Sequence, residues 1–330
     1  MLVKKVLENG GSIRPLIVPS EFTGGTGLCN PSVLVDGDRI LVNIRHVQYS
    51  LYHAEFDSKF ISRWGPLTYM HPEDDLTLRT VNYLAEFDLD LNQKWLHQID
   101  TSKLDVKPIW TFIGLEDGRL VKWNDKYYLI GVRRDTTENG EGRMEYQELE
   151  ITPEAVKEVS RTRIEPPKWA YCEKNWMPVL SKPNHFVKWS NPLEVVEANL
   201  ENKSSSTVHL SDKTLKLPRD LRGSSQVIPF KGNYLVITHE TDFWHNEYGC
   251  KNAQYYHRFI MWDKDWNVIS ITKPFKFMDG WIEFCTGMDI LGDELIITFG
   301  FQDNAAYILK APINVIEEFI NTEKDVTEFN

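Results

Sequence analysis

The sequence predicts an all-β fold, a five-bladed β-propeller with a short C-terminal helix, occupying residues 1–330 as a single domain. Helical periodicity is scarce, whereas short β-branched and aromatic runs closed by turn residues recur from end to end. One arrangement, a polar cluster, a few apolar residues, a turn and a second strand, returns five times. Spread over 330 residues, the copies leave roughly 66 residues each, room for a four-stranded blade with long connections.

The first copy runs from Cys29 to Val35, turns at Asp36-Gly37-Asp38 and continues from Arg39 to Arg45. The second runs from Glu116 to Trp123, turns at Asn124-Asp125-Lys126 and continues from Tyr127 to Arg133. The third spans Glu173 to Leu180 and His185 to Trp189; the fourth spans Arg222 to Phe230 and Tyr234 to His239. The fifth spans Glu283 to Leu291 and Glu294 to Phe299. Asp, Asn and Gly dominate the turns because they tolerate the left-handed backbone that tight hairpins need. Long gaps, His46 to Asp100 and Asn191 to Asp220, must hold insertions or outer strands. Ile313, Ile316, Phe319 and Ile320 fall at helical spacing within Pro312 to Thr322, which predicts one amphipathic helix. A β-sandwich with similar hairpins is the competing fold.

A net charge of -11 and a pI near 5.4 disfavour a nucleic-acid backbone or an anionic membrane as the main binding surface. The first residues lack the apolar core of a signal peptide, and no run approaches the length of a membrane span. Four cysteines without Cys-x-x-Cys spacing fit reduced thiols, so a soluble cytoplasmic protein is expected. The 11 Trp, 13 Tyr and 16 Phe suit large β cores and also stack on sugar rings.

In a propeller the innermost strands line a central funnel, so the residues opening them converge. On that reading Asn30, Glu116, Asp117, Arg119, Glu173, Lys174, Asn175, Arg222 and Glu283 meet from distant segments. Second strands end on polar groups too, among them Arg45, His239 and, beyond the fifth, Asp303. Carboxylates accept hydrogen bonds from sugar hydroxyls, while Lys174, His239 and an arginine supply donors for phosphate. The glycines of Thr23-Gly24-Gly25-Thr26-Gly27 neither follow a strand nor open a helix, so they read as a loop. His53, His71, His245 and His257 lack metal-ligand spacing and Asp74-Asp75 read as loop acids, so neither a metal nor a cofactor is expected.

At these residues the sequence resembles the five-bladed propeller enzymes of glycoside hydrolase family 130, the mannoside phosphorylases with their hydrolase and mannosyltransferase relatives. The family's Gly-x-Glu-Asp-Pro-Arg motif is similar to Gly114 to Arg119, with Gly118 in place of the proline. Asn30-Pro31, Lys174-Asn175, His239, Glu283 to Gly287 and Phe299 to Asp303 are further echoes. The resemblance implies that Asp117 is the catalytic carboxylate, that Lys174 and His239 touch phosphate, and that Asp303 helps hold the sugar. Arg45 is a looser match to an arginine of the first blade.

Together these features predict an inverting glycosyltransferase, with Asp117 as general acid or base. Asn30, Arg45, Glu116, Arg119, Asn175, Arg222, Glu283 and Asp303 would bind the sugar. The partners expected are a nucleotide sugar or sugar phosphate as donor and a glycan or other hydroxyl acceptor. A mannoside-type phosphorylase or a glycoside hydrolase is the alternative, and a non-catalytic glycan-binding propeller a further one.

Overall fold

The computed structural model of the chain describes residues 1–24, 27–51, 69–70, 77–245, 247 and 251–325. Gly25 and Thr26, His53, His71 and Asp74-Asp75 therefore lie outside the described residues. The chain is mostly strand, with helices at Leu2–Glu8, Ser20–Thr23 and Ile313–Thr322. No helix among the described residues is long and apolar enough to cross a membrane.

The predicted hairpins form, and most are extended by outer strands. Leu28–Asp36 pairs with Arg39–Val47, then Leu78–Phe87 and Gln93–Asp100 follow, filling much of the first long gap. Glu116–Trp123, Lys126–Arg133, Arg143–Ile151 and Val156–Ile164 form a second antiparallel meander. A short parallel pairing of Ile99 and Asp100 with Val156 and Lys157 merges these two into one nine-stranded sheet. Leu193–Asn199 and Ser204–Leu210 occupy the second long gap and complete a four-stranded sheet with Met177–Pro178 and His185–Ser190.

Two predicted first strands are shorter than expected. The first strand of the third copy pairs regularly only over Met177–Pro178, beyond which Val179 bridges in parallel to Val227. The fourth is interrupted: Arg222–Gly223 and Ile228–Phe230 both pair with Asn233–His245, while the Ser225 hydroxyl accepts the Ile237 N–H between them at 3.0 Å. In the last sheet the chain closes on itself, because Ser12–Pro15 pairs antiparallel with Ala305–Pro312 at the far end of the sequence. The helix Leu2–Glu8 packs against the same core as Ile313–Thr322, whose buried face is Val315, Ile316, Phe319 and Ile320. Ile313 is only partly buried, one turn too near the strand end.

Successive residues of a strand point to opposite faces, and the inner strands are buried on both because a neighbouring sheet covers each face. Val33, Val42 and Ile296 join the first meander to the last sheet; Leu41, Leu120 and Leu129 join the first to the second. Trp123, Tyr146 and Phe186 join the second to the third, Val187 and Val236 the third to the fourth, and Phe259 and Ile297 the fourth to the last. Each apolar cluster thus spans two sheets consecutive in the chain, and one spans the last and the first.

Where first strands approach one another, Cβ atoms have no room. A Cβ at Gly223 would lie 1.9 Å from the Asn175 carbonyl oxygen, and one at Gly287 2.6 Å from the Val33 nitrogen. The fully buried Gln226 fastens these strands together. Its amide donates to the carbonyls of Val33 (2.8 Å) and Leu120 (3.0 Å), and its oxygen accepts the Met288 N–H (2.9 Å).

Candidate active site

Three of the strand openings share one backbone device. Asn30, Asp117 and Asn175 all adopt left-handed conformations, with φ of 46°, 52° and 60°. Asn and Asp are the non-glycine residues that accept this region most readily. At Asn30 and Asp117 the ladder to the second strand also breaks register, which turns the side chain out of the sheet pattern. Gly118 follows for a packing reason: a Cβ there would meet Leu129 Cγ at 2.6 Å, so the chain carries no side chain where the similar family carries proline.

These turns bring Asn30, Arg45, Asp117, Arg119 and Asn175 into direct contact. Asp117 Oδ1 accepts from Asn30 Nδ2 at 2.6 Å and from Arg45 Nη1 at 2.7 Å, both partners being buried. Arg45 is itself steered by the Thr80 hydroxyl, at 3.2 and 3.1 Å from Nε and Nη2, and by the Tyr49 hydroxyl at 2.9 Å. Arg119, fully buried, reaches the Asp117 carbonyl (2.6 Å), the Ser224 carbonyl (2.9 Å) and Asn175 Oδ1 (3.3 Å). Burial opposes ionisation of Asp117, but the charges of Arg45 and Arg119, the Asn30 bond and the charge of Lys174 overcome it and hold the carboxyl below its usual range. It is an anion at neutral pH.

Asp303 is the opposite case. Burial raises its pKa, Arg45 opposes the rise, and the negative charges of Asp117 and Glu116 add to it, leaving it at about 6. Two carboxylates in one site are thereby pushed apart in acidity, a pattern used by acid–base pairs. Glu116 is half-buried and close enough to act on both Asp303 and the phenol of Tyr255.

Across the site, His239 lies buried between Tyr255, stacked at 5.5 Å, and the edge of Phe284 at 4.7 Å, with Nδ1 3.1 Å from the Ser224 hydroxyl. Burial, then the neighbouring His257 ring and the positive charges of Arg222, Arg119 and Lys174, hold it well below the usual imidazole range. It is neutral, so it offers a hydrogen bond rather than the charge expected of a phosphate ligand. Lys174 is exposed, and the Arg222 guanidinium lies 5.3 Å from the Phe243 ring.

Two expected members are committed elsewhere. Glu283 was expected to hold the sugar, but its carboxylate is fully buried and accepts the N–H groups of Phe277 (2.6 Å), Met278 (2.8 Å) and Gly280 (2.7 Å). It anchors that loop. Glu173 accepts the Trp176 indole N–H at 2.8 Å and so fixes a core side chain. Conversely, Thr80 and Ser224 enter the site without a signal in the sequence, where single polar residues look like any solvated position, whereas Tyr255 opens a β run, Tyr255-Tyr256-His257-Arg258, that the sequence placed either near the pocket or at a blade edge. His257, buried, accepts the Cys285 N–H at 3.3 Å and belongs to the core.

The fold is shared with solved structures of carbohydrate-active proteins. A β-1,2-mannobiose phosphorylase from Listeria innocua, in complex with β-1,2-mannobiose, superposes with a TM-score of 0.57 at 15% identity, over 94% of this chain and 97% of its own. A glycosyl hydrolase from Bacteroides ovatus gives a TM-score of 0.54 at 12% identity, over 86% of this chain and 84% of its own. A structure from work on mannoside phosphorylases of the GH130 family, which contains hydrolases targeting β-1,2 mannosidic linkages in Candida mannan, gives 0.53 at 12% identity, over 86% and 84%. No protein-family model and no curated protein matches the sequence.

Proposed function

We propose that the chain is a carbohydrate-active enzyme of the glycoside hydrolase family 130 type, a single five-bladed propeller domain that works as an inverting glycoside phosphorylase. The cyclic order of the apolar clusters, and the pairing of the first strand with the last, support the five-blade reading. The sequence reading ranked an inverting transferase with a nucleotide sugar ahead of a phosphorylase. The fold neighbours are named as phosphorylases and hydrolases, which reverses that order.

The observation that carries the phosphorylase reading is the cationic charge gathered at His239, where Arg222, Arg119 and Lys174 all act on the imidazole. Asp303, Asp117 and Glu116 act on Tyr255, which stacks on that imidazole, so cations and carboxylates meet in one site. A phosphate placed there meets cations and an imidazole hydrogen bond, in a partly buried setting where such contacts are strong.

In the synthetic direction the C1–O bond of a sugar 1-phosphate breaks and phosphate keeps the electron pair. The acceptor hydroxyl attacks C1 from the opposite face and passes its proton to the ionised Asp117. Phosphorolysis is the reverse: Asp117 first takes up a proton from solvent, a phosphate oxygen attacks C1, and the departing oxygen takes that proton from Asp117. Asn30, whose buried Oδ1 has no partner among the described residues, Glu116 and Asp303 line the sugar side. Arg45, Arg119 and Asn175 position the carboxylate. Incubation with β-1,2-mannobiose, with and without orthophosphate, tests this by ³¹P NMR. Phosphate-dependent release of mannose 1-phosphate is expected, and equal turnover without phosphate refutes it.

A second reading is favoured by Asp303 at about 6 beside the ionised Asp117, which suits a paired-carboxylate hydrolase. The same incubation decides between them, since that reading requires free mannose and no use of phosphate. A glycan-binding module would leave both sugars unconverted.

A further inference from the structure

A cavity of about 330 Å³ opens between the first and second meanders, away from His239 and Lys174. It lies where the apolar junction of Leu84, Leu115, Leu129 and Leu149 gives way to polar side chains. Asn82, Arg133, Asp135 and Gln147 form its buried polar lining. Such an interface position is normally apolar, because a buried polar group without a partner is costly.

Two of these acceptors have no donor among the described residues. Asp135 Oδ1 and Gln147 Oε1 are buried without a hydrogen-bond partner among them; both residues are more than nine-tenths buried and both line the cavity. The other Asp135 oxygen is taken by Arg133 (3.1 Å) and the Gly114 N–H (2.9 Å). The charges around it are drawn into ion pairs: Arg133 also pairs with Glu145 at 2.6 Å, and Arg161 pairs with Glu158 and, at 3.3 Å, with Asp105 at the mouth, while Arg79 adds a further cation to the lining. A neutral ligand leaves these pairs intact. Ile99, Ile113 and Leu115 supply an apolar part of the lining.

We propose that this cavity is a second carbohydrate site, which takes a neutral monosaccharide whose hydroxyls donate to Asp135 Oδ1 and Gln147 Oε1 while its C–H face packs on the apolar part of the lining. The volume suits such a ligand: it lies at the lower end of ligand pockets, roughly 300–1,000 Å³. The site also reaches the reaction centre. Thr80 lines the cavity, and its hydroxyl accepts from the same Arg45 that holds Asp117. A sugar bound here contacts the support of the carboxylate without entering the funnel. This inference does not depend on which reaction Asp117 performs.

Binding of D-mannose and D-glucose to the full chain, by saturation-transfer NMR and titration calorimetry, tests it. The wild type, Gln147→Leu, Val106→Trp and Arg222→Ala are compared after a thermal-unfolding check of each. Val106 is 62% exposed at the mouth, so the larger ring blocks the cavity without entering the core. D-Mannose is expected to bind at two sites in the wild type, the funnel and this cavity; the cavity component should persist in Arg222→Ala, weaken about tenfold in Gln147→Leu and vanish in Val106→Trp. Equal binding in Val106→Trp and wild type, or loss in Arg222→Ala alone, places the sugar elsewhere and overturns the proposal. So does the absence of binding together with a sugar-soaked crystal that shows only water in the cavity.

Discussion

Replacing Gln226 by Leu removes no volume to speak of, yet it cuts the fastening between three sheets. The side chain is fully buried, and its three hydrogen bonds, at 2.8, 3.0 and 2.9 Å, satisfy the carbonyls of Val33 and Leu120 and the N–H of Met288. Each bond contributes about 0.5–1.5 kcal/mol net, and each backbone group left buried without a partner costs about 1–3 kcal/mol. Relaxation will recover part of this, so Gln226→Leu should lose about 3–6 kcal/mol. That is a large share of a total stability of about 5–15 kcal/mol. Urea denaturation followed by tryptophan fluorescence measures it, the midpoint falling while the slope stays constant. Gln226→Asn, too short to span the strands, should lose a similar amount. A loss under about 1 kcal/mol in both variants would show that water replaces these bonds, and the fastening role would be abandoned.

Asp117→Asn should lower turnover of β-1,2-mannobiose by about 10²–10⁴-fold, the usual worth of a general acid–base group; unchanged turnover leaves the carboxylate without a catalytic role. Because the folded-state pKa of Asp117 is depressed, its ionised form stabilises the fold above the usual carboxylate pKa, and that stability is lost as pH falls through the depressed value. The stability gap between wild type and Asp117→Asn should therefore shrink in acid, which pH-dependent thermal unfolding checks. Asp303 is opposite in sign: raised to about 6, it makes the wild type lose stability as pH rises from the usual carboxylate value towards 6, a slope Asp303→Asn should remove. Lys174→Ala should raise the KM for orthophosphate about tenfold with little change in the KM for the glycoside, as expected for one lost charge-assisted contact; initial rates at varied phosphate decide this. Arg45→Lys keeps the charge but not the fork that engages Thr80, Tyr49 and Asp117 at once, so it should lower kcat by more than it raises KM.

The strand content, the hairpins opening at Cys29, Glu116 and Glu283, and the C-terminal helix were legible because they follow from local rules: period-two alternation, turn residues that accept left-handed φ, and one apolar helical face. The helix Leu2–Glu8 was not, since seven residues give too little periodicity to stand out from a charged terminus. The interrupted fourth strand was missed because its break is set by Ser225 bonding to Ile237, a contact made only after the strands meet.

For the site, the sequence by itself determined which segments supply polar residues, and the short motif from Gly114 to Arg119 marked Asp117. Tertiary structure decided what those residues do. In sequence Glu283 and Glu173 look like Glu116, a carboxylate ahead of an apolar run, but loop amides and an indole N–H claim their carboxylates. His239 reads as a cation for phosphate until burial and three neighbouring side-chain cations make it neutral. Asp117 and Asp303 are the same residue type, separated in acidity by the guanidinium bonded to one and the negative charges beside the other. The reason is physical: periodicity and turn chemistry act over a few residues along the chain. Hydrogen-bond commitment, desolvation and charge coupling act through space, between segments that only the closed fold brings together.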